Sequence, residues 1–183
     1  MNAGVKYVAY AAGLAMVVAP AAKGCAPPNA GGSAGQVVSM CDYAPDSRPS
    51  GKLGLDSHQA ANARAVIEVA AGRGLPRRAA VIGIATTLQE SRLRTGAVGD
   101  NGTAFGIFQQ RPVSGWGTRA TATNARVAAG KFYDRLEKVR GWKTRPLTSA
   151  AQAVQRSAFP YAYADDEDDA ERIVNIITWR SCK

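Results

Sequence analysis

Apolar residues recur along this chain at helical spacing. Between Ala79 and Glu90, taken at about 100° per residue, Val81, Ile84, Ala85 and Leu88 fall on one stripe. Ala79, Gly83, Thr86 and Thr87 fall on another, and Glu90 lies in line with them. The spacing predicts a helix with one large-apolar face and one face of small side chains, which lets another element approach closely. Pro76 sits where a first helical turn tolerates it and opens this helix. Upstream, Asp56 or Ser57 can cap a helix to about Ala71, with Gly72 and Gly74 as stops. Downstream, one helix is predicted from about Thr123 through Leu136, and one capped by Thr148 or Ser149 through about Arg156. A last helix is predicted from Ala164 to about Trp179. Its acidic start, Asp165 to Asp169, suits the positive end of the helix dipole. No segment shows sustained period-two alternation, and helix formers dominate, so the predicted fold class is all-α.

The pattern changes in the first 54 residues. Tyr7 to Ala22 is uncharged and mostly apolar behind Lys6, a little short of the roughly 17 residues a span needs. Ala19-Pro20-Ala21 fits a small-residue cleavage site. Residues 1–24 therefore read as a signal peptide or a membrane anchor, and Cys25 leaves a poor lipidation site open. A signal or anchor places the rest outside the cytoplasm, in the cell envelope or secreted. Residues 25–54, with Pro27-Pro28, Gly31-Gly32-Ser33 and Pro45 to Gly51, read as a linker with little to form a core. The folded domain is expected over 55–183. In an oxidising compartment Cys41 and Cys182 are the expected disulfide, tying the two ends together, with three unpaired thiols as the alternative.

The candidate chemistry gathers after the Ala79–Glu90 segment. A carboxylate at the edge of a core loses water, which disfavours its ionised form and suits a general acid near neutral pH. The alternative for Glu90 is an exposed residue on the last helical turn. Arg94 to Phe105 is a predicted loop, with a turn at Asp100-Asn101-Gly102. Asp100 is either a second carboxylate or a turn residue. The loop lacks the Lys-Ser/Thr and preceding strand of a phosphate-binding loop. Gln109 and Gln110 offer amides suited to N-acetyl groups and hydroxyls, or to a buried tie between loop and core. Trp116 can stack on a sugar ring or plug the core.

Composition narrows the choices. The chain has 183 residues and a net charge of +9, so an anionic partner is expected. No basic run is interleaved with aromatics, and a nucleic-acid partner is not expected, although charge alone would allow one. His58 is the single histidine, which leaves no HExxH motif and only a weak basis for a Ser-His-Asp triad. The acidic run lacks the EF-hand glycine and distal glutamate. No metal and no cofactor are expected, and carboxylate chemistry is the best catalytic option.

Glu90-Ser91, followed after the turn by Gly106-Ile107-Phe108-Gln109, resembles the lysozyme-like domain of soluble lytic transglycosylases and goose-type lysozymes. The segments LQESRLR, FGIFQQRP, GWGT, KFYDRL and AAQAVQRSAFPYAYA are similar to a form found in actinobacterial envelope proteins, over roughly Leu55 to Ile173. The resemblance implies a lysozyme-like helical domain with Glu90 as catalytic acid and base. It implies a sugar cleft lined by the Gly106–Gln109 segment and a tyrosine near the glutamate, Tyr161 or Tyr163. Ser91, Gly106, Phe108, Gln109, Gln110, Trp116, Gln155, Tyr161 and Tyr163 are then the expected substrate-binding residues. The implied partner is the glycan strand of peptidoglycan, with anionic wall polymers as further candidates and the membrane reached through an uncleaved N-terminal segment. The implied reaction cleaves the β-1,4 bond between N-acetylmuramic acid and N-acetylglucosamine. The family's usual Ala-Tyr-Asn-Ala-Gly segment is replaced here by Ala150-Ala151-Gln152-Ala153-Val154-Gln155-Arg156. That departure keeps open a second expectation, a wall-binding or envelope-assembly module without turnover.

Overall fold

The computed structural model describes residues 38–156 and 161–182. The expected leader over 1–24, Cys25 and the first part of the linker lie outside the described residues, as do Phe159 and Pro160. The fold is mainly helical. Helices α1 (Ser57–Gly72), α2 (Arg77–Ser91), α3 (Arg119–Ala122), α4 (Ala125–Leu136), α5 (Leu147–Gln155) and α6 (Glu167–Cys182) carry the core. A two-stranded antiparallel hairpin, β1 (Val98–Gly99) and β2 (Ala104–Phe105), interrupts the predicted loop and qualifies the all-α expectation. Among the described residues no helix is long and apolar enough to cross a membrane.

Helix α2 is the centre. It packs against α1, α4, α5 and α6, and every side chain from Ala79 to Leu88 is buried. A helix enclosed on all sides needs different shapes on different faces, and its small face provides one. Gly83 lies where an added Cβ would stand 2.5 Å from the Tyr133 hydroxyl and 3.0 Å from Val66. The glycine thus admits α4 and α1 at close range, and the Tyr133 hydroxyl donates to the Val66 carbonyl across that contact. Thr86 and Thr87, also fully buried, satisfy their hydroxyls by donating to the Ile82 and Ile84 carbonyls.

Local chemistry sets the helix ends. Asp56 and Gln59 form a reciprocal capping box at the start of α1. Asn124 caps α4 through the Arg126 and Val127 amides. Helix α5 starts two or three residues earlier than a Thr148 or Ser149 cap would place it, because Pro146 precedes a first turn beginning at Leu147. Helix α6 begins at Glu167, later than expected, and runs on to Cys182. Glu167, Asp168 and Asp169 occupy its first turn.

The linker-like stretch contributes to the core, contrary to its composition. A 3₁₀ turn at Met40–Tyr43 buries Tyr43, whose hydroxyl donates to the Leu75 carbonyl. Cys41 in that turn is joined to Cys182 at the end of α6. Arg172 donates to the Lys52 carbonyl, which fastens the same stretch to α6 a second time.

Candidate functional site

Helix α2 delivers Glu90 at its last turn and then stops abruptly. Arg92 and Leu93 both take left-handed backbone angles, φ 53° and 62°. Their amides bond back to the Leu88 and Thr87 carbonyls at 3.0 and 3.1 Å. Left-handed geometry is costly for non-glycine residues, and the complete burial of Leu93 offsets it. Two α1 side chains secure the turn: Gln59 donates to the Arg92 carbonyl and Asn62 to the Leu93 carbonyl.

The Glu90 carboxylate is half-buried and has two neutral partners. Tyr163 donates its hydroxyl to Oε1 at 2.7 Å, and Gln155 donates its amide to the same oxygen at 3.2 Å. The Gln155 amide also donates to the Phe108 carbonyl at 2.8 Å. Burial holds the Glu90 pKa above the ordinary glutamate value, and the two hydrogen bonds pull it part of the way back. No cation pairs with Glu90 among the described residues. The arrangement therefore holds a proton near neutral pH more readily than a solvated glutamate does, while the tyrosine and amide steady the anion once the proton has left.

The second half of the site is the turn after β2. Gly106 has φ 75°, and a Cβ there would drive into the Ala122 carbonyl, so only glycine fits. Ser91, next to Glu90, donates to the Ile107 carbonyl at 2.9 Å and accepts from the Arg94 amide. It joins the end of α2 to this turn. Gln109, at φ 46°, folds its amide back onto the Gly106 carbonyl at 2.9 Å.

Glu90, Gln155 and Tyr163 are thus brought together, with Ser91, Gly106 and Gln109 building the wall beside them. The other expected contacts go elsewhere. Phe108 is fully buried and stacks on Phe132, ring centroids 4.6 Å apart, so only its carbonyl reaches the site. Gln110 is fully buried and donates to the Ala128 carbonyl at 2.9 Å, which makes it the tie between loop and core. Trp116 is buried against α4 beneath the Arg135 guanidinium, which lies 3.4 Å from the ring centroid. These three side chains are corrections to the expected cleft lining. Gly-rich turns carry no periodicity, so the sequence could not show which way they face. Tyr161 is 79% exposed, and of the two tyrosines it is Tyr163 that donates to the carboxylate. Asp100 pairs with Arg111 at 2.7 Å and accepts from Thr103, as a turn residue would.

A carboxylate that sequence reading did not single out stands closer in connectivity to Glu90. Asp166 is 5% exposed, and Gln89 and Arg92, on either side of Glu90, both reach it: Arg92 at 3.3 Å and the Gln89 amide at 3.2 Å. Burial raises its pKa, Arg92 opposes that, and Asp169 and Asp165 add to it. Inside an acidic run nothing in the sequence separates a buried aspartate from its solvated neighbours. Two cavities open beside the end of α2, of about 260 Å³ by His58, Asn62 and Arg94 and about 340 Å³ by Leu53, Leu55, Leu88 and Ile173. Neither is lined by Glu90, and the hydrogen-bond geometry of the carboxylate, not cavity size, marks the site. No family model matches the chain, and no curated protein matches it.

Proposed function

We propose that the protein is a peptidoglycan glycosidase of the lytic transglycosylase kind, built on a lysozyme-like helical domain, with Glu90 as general acid and then base. The observation that carries this is the Glu90 carboxyl itself. It is half-buried, held above its ordinary pKa by desolvation, and bonded by Tyr163 and Gln155 rather than by a cation. A protonated Glu90 donates to the oxygen linking N-acetylmuramic acid to N-acetylglucosamine. The bond to the anomeric carbon breaks, and the substrate's own acetamido group stabilises the oxocarbenium-like centre. Glu90, now ionised, is steadied by the two hydrogen bonds and recovers a proton from the muramic acid 6-hydroxyl. That oxygen closes on the anomeric carbon to give a 1,6-anhydro sugar. Water in place of the hydroxyl would give hydrolysis. Asp100, the other candidate carboxylate, is taken up in an ion pair with Arg111, which favours the intramolecular route.

A second reading, a wall-binding module without turnover, draws on the inward-facing Phe108, Gln110 and Trp116, which leave fewer side chains for sugar contact. A zymogram cast with purified wall separates the two. Clearing by the wild-type chain and none by Glu90→Gln supports the glycosidase. Retention on wall without clearing by either supports the module.

A further inference from the structure

The larger of the two cavities, about 340 Å³, changes character with depth. Its buried part is apolar. Leu88 and Ile173 come from the core, and the half-buried Leu53 and Leu55 from the stretch ahead of α1. Its more exposed part is basic, because Arg92, Arg94 and Arg172 line it together. Among the described residues Asp169 is the one carboxylate in the lining, so three guanidiniums share a cavity with a single acid.

Part of this polar lining is already used by the fold. Arg172 donates to Asp169 at 2.7 Å and to the Lys52 carbonyl, so the acid is taken. Gln59 accepts from the Asp56 amide and donates to the Arg92 carbonyl. The rest is unused. Arg92 reaches Asp166 through one nitrogen at 3.3 Å, and its side chain is 62% exposed. Among the described residues the Arg94 guanidinium makes no hydrogen bond and no ion pair. The backbone carrying both is held in place. The Arg92 carbonyl accepts from Gln59, and the Arg94 amide bonds to the carbonyl and hydroxyl of Ser91. Cations without a counter-charge attract an anion, and the planar edge of a guanidinium matches carboxylate and phosphate oxygens. An inorganic anion would leave the apolar floor wet, and a neutral apolar molecule would leave the guanidinium edges unused.

We propose that this cavity binds a small amphiphilic anion. Its oxyanion head sits on Arg92 and Arg94, and its aliphatic body covers Leu53, Leu55, Leu88 and Ile173. The head is a carboxylate of a free acid or the phosphate of an ester, which present the same oxygens to the guanidiniums. The site goes beyond the glycosidase reading and does not rest on it, since Glu90 does not line this cavity.

Calorimetric titration of the full chain tests this, with octanoate, octyl phosphate, acetate and octylamine as probes. Octanoate or octyl phosphate should bind about tenfold or more tighter than acetate, because each methylene that leaves water is worth up to about fourfold. The tighter of the two identifies the head group. Octylamine, with the same body and the opposite charge, should bind at least about tenfold more weakly than the tighter anion. Arg94→Gln removes no hydrogen bond of the fold and should weaken the tighter anion about tenfold, the scale of one charge-assisted hydrogen bond. Arg140→Gln, which removes an exposed cation outside the cavity, should leave the affinity unchanged. Two-dimensional NMR of the wild-type chain should show the anion moving the backbone amide signals of Gly54 and Arg94. No binding of either amphiphilic anion overturns the proposal. So does octylamine or acetate binding as tightly as octanoate, or an equal loss in Arg94→Gln and Arg140→Gln.

Discussion

Removing the Cys41–Cys182 bridge should lower stability without touching the carboxylate site. The two cysteines are 141 residues apart. Chain-entropy arithmetic for a closed loop of that size gives about 5 kcal/mol of stabilisation through the unfolded state. In a domain of this size 1 kcal/mol corresponds to roughly 3 °C in Tm, so the double variant Cys41→Ser, Cys182→Ser should melt on the order of 10 to 15 °C lower. The variant should still fold, because Tyr43 remains tied to the Leu75 carbonyl and Lys52 to Arg172. Differential scanning calorimetry of oxidised wild type against the double variant is the assay, with wall clearing below both melting temperatures as the control on the site. A fall of less than about 3 °C would refute the reasoning. It would mean that the unfolded chain already holds its ends together, or that the bridged ends gain nothing in the folded state.

Three further outcomes are expected. Gly83→Ala places a methyl group against the Tyr133 hydroxyl and Val66, and overpacking of this kind should cost about 1 to 3 kcal/mol, read from denaturant midpoints. Tyr163→Phe removes a hydrogen bond that favours ionised Glu90, so the carboxyl midpoint followed by ¹³C NMR should move to higher pH, and an unchanged or lower midpoint would contradict the assignment. Glu90→Gln should stabilise the fold relative to wild type as pH rises. The folded-state pKa of Glu90 is raised above the unfolded value of about 4.3, so the stability this group contributes is fully present below that value and is lost as pH climbs through the folded pKa. The gap between variant and wild type, measured by urea unfolding, should open from about pH 4 toward neutrality, and a constant gap would count against a desolvated carboxylate.

The sequence was most legible where side-chain chemistry repeats with the backbone. The Asp56 cap, the stops at Gly72 and Gly74, the two faces of α2 and the small-residue approach at Gly83 all follow from helical spacing. Each has a direct counterpart in the structure. The disulfide between Cys41 and Cys182 was readable because the two cysteines sit near opposite ends of the folded part. Legibility failed where contacts are long-range and aperiodic. Tyr43 is one aromatic in a stretch of glycine and proline, and nothing local announces a hydroxyl that reaches a carbonyl 32 residues away. Phe108, Gln110 and Trp116 follow glycines with positive φ or turns, where facing is decided by tertiary packing.

The central claim is that Glu90 passes a proton to the bridging oxygen of an amino-sugar strand. Mass analysis of products from purified glycan strands tests it most directly. The wild-type chain should release fragments ending in a 1,6-anhydro sugar, one water lighter than the hydrolytic product, and Glu90→Gln should release none. Intact strands after incubation with folded wild-type protein, or equal cleavage by the variant, would contradict it.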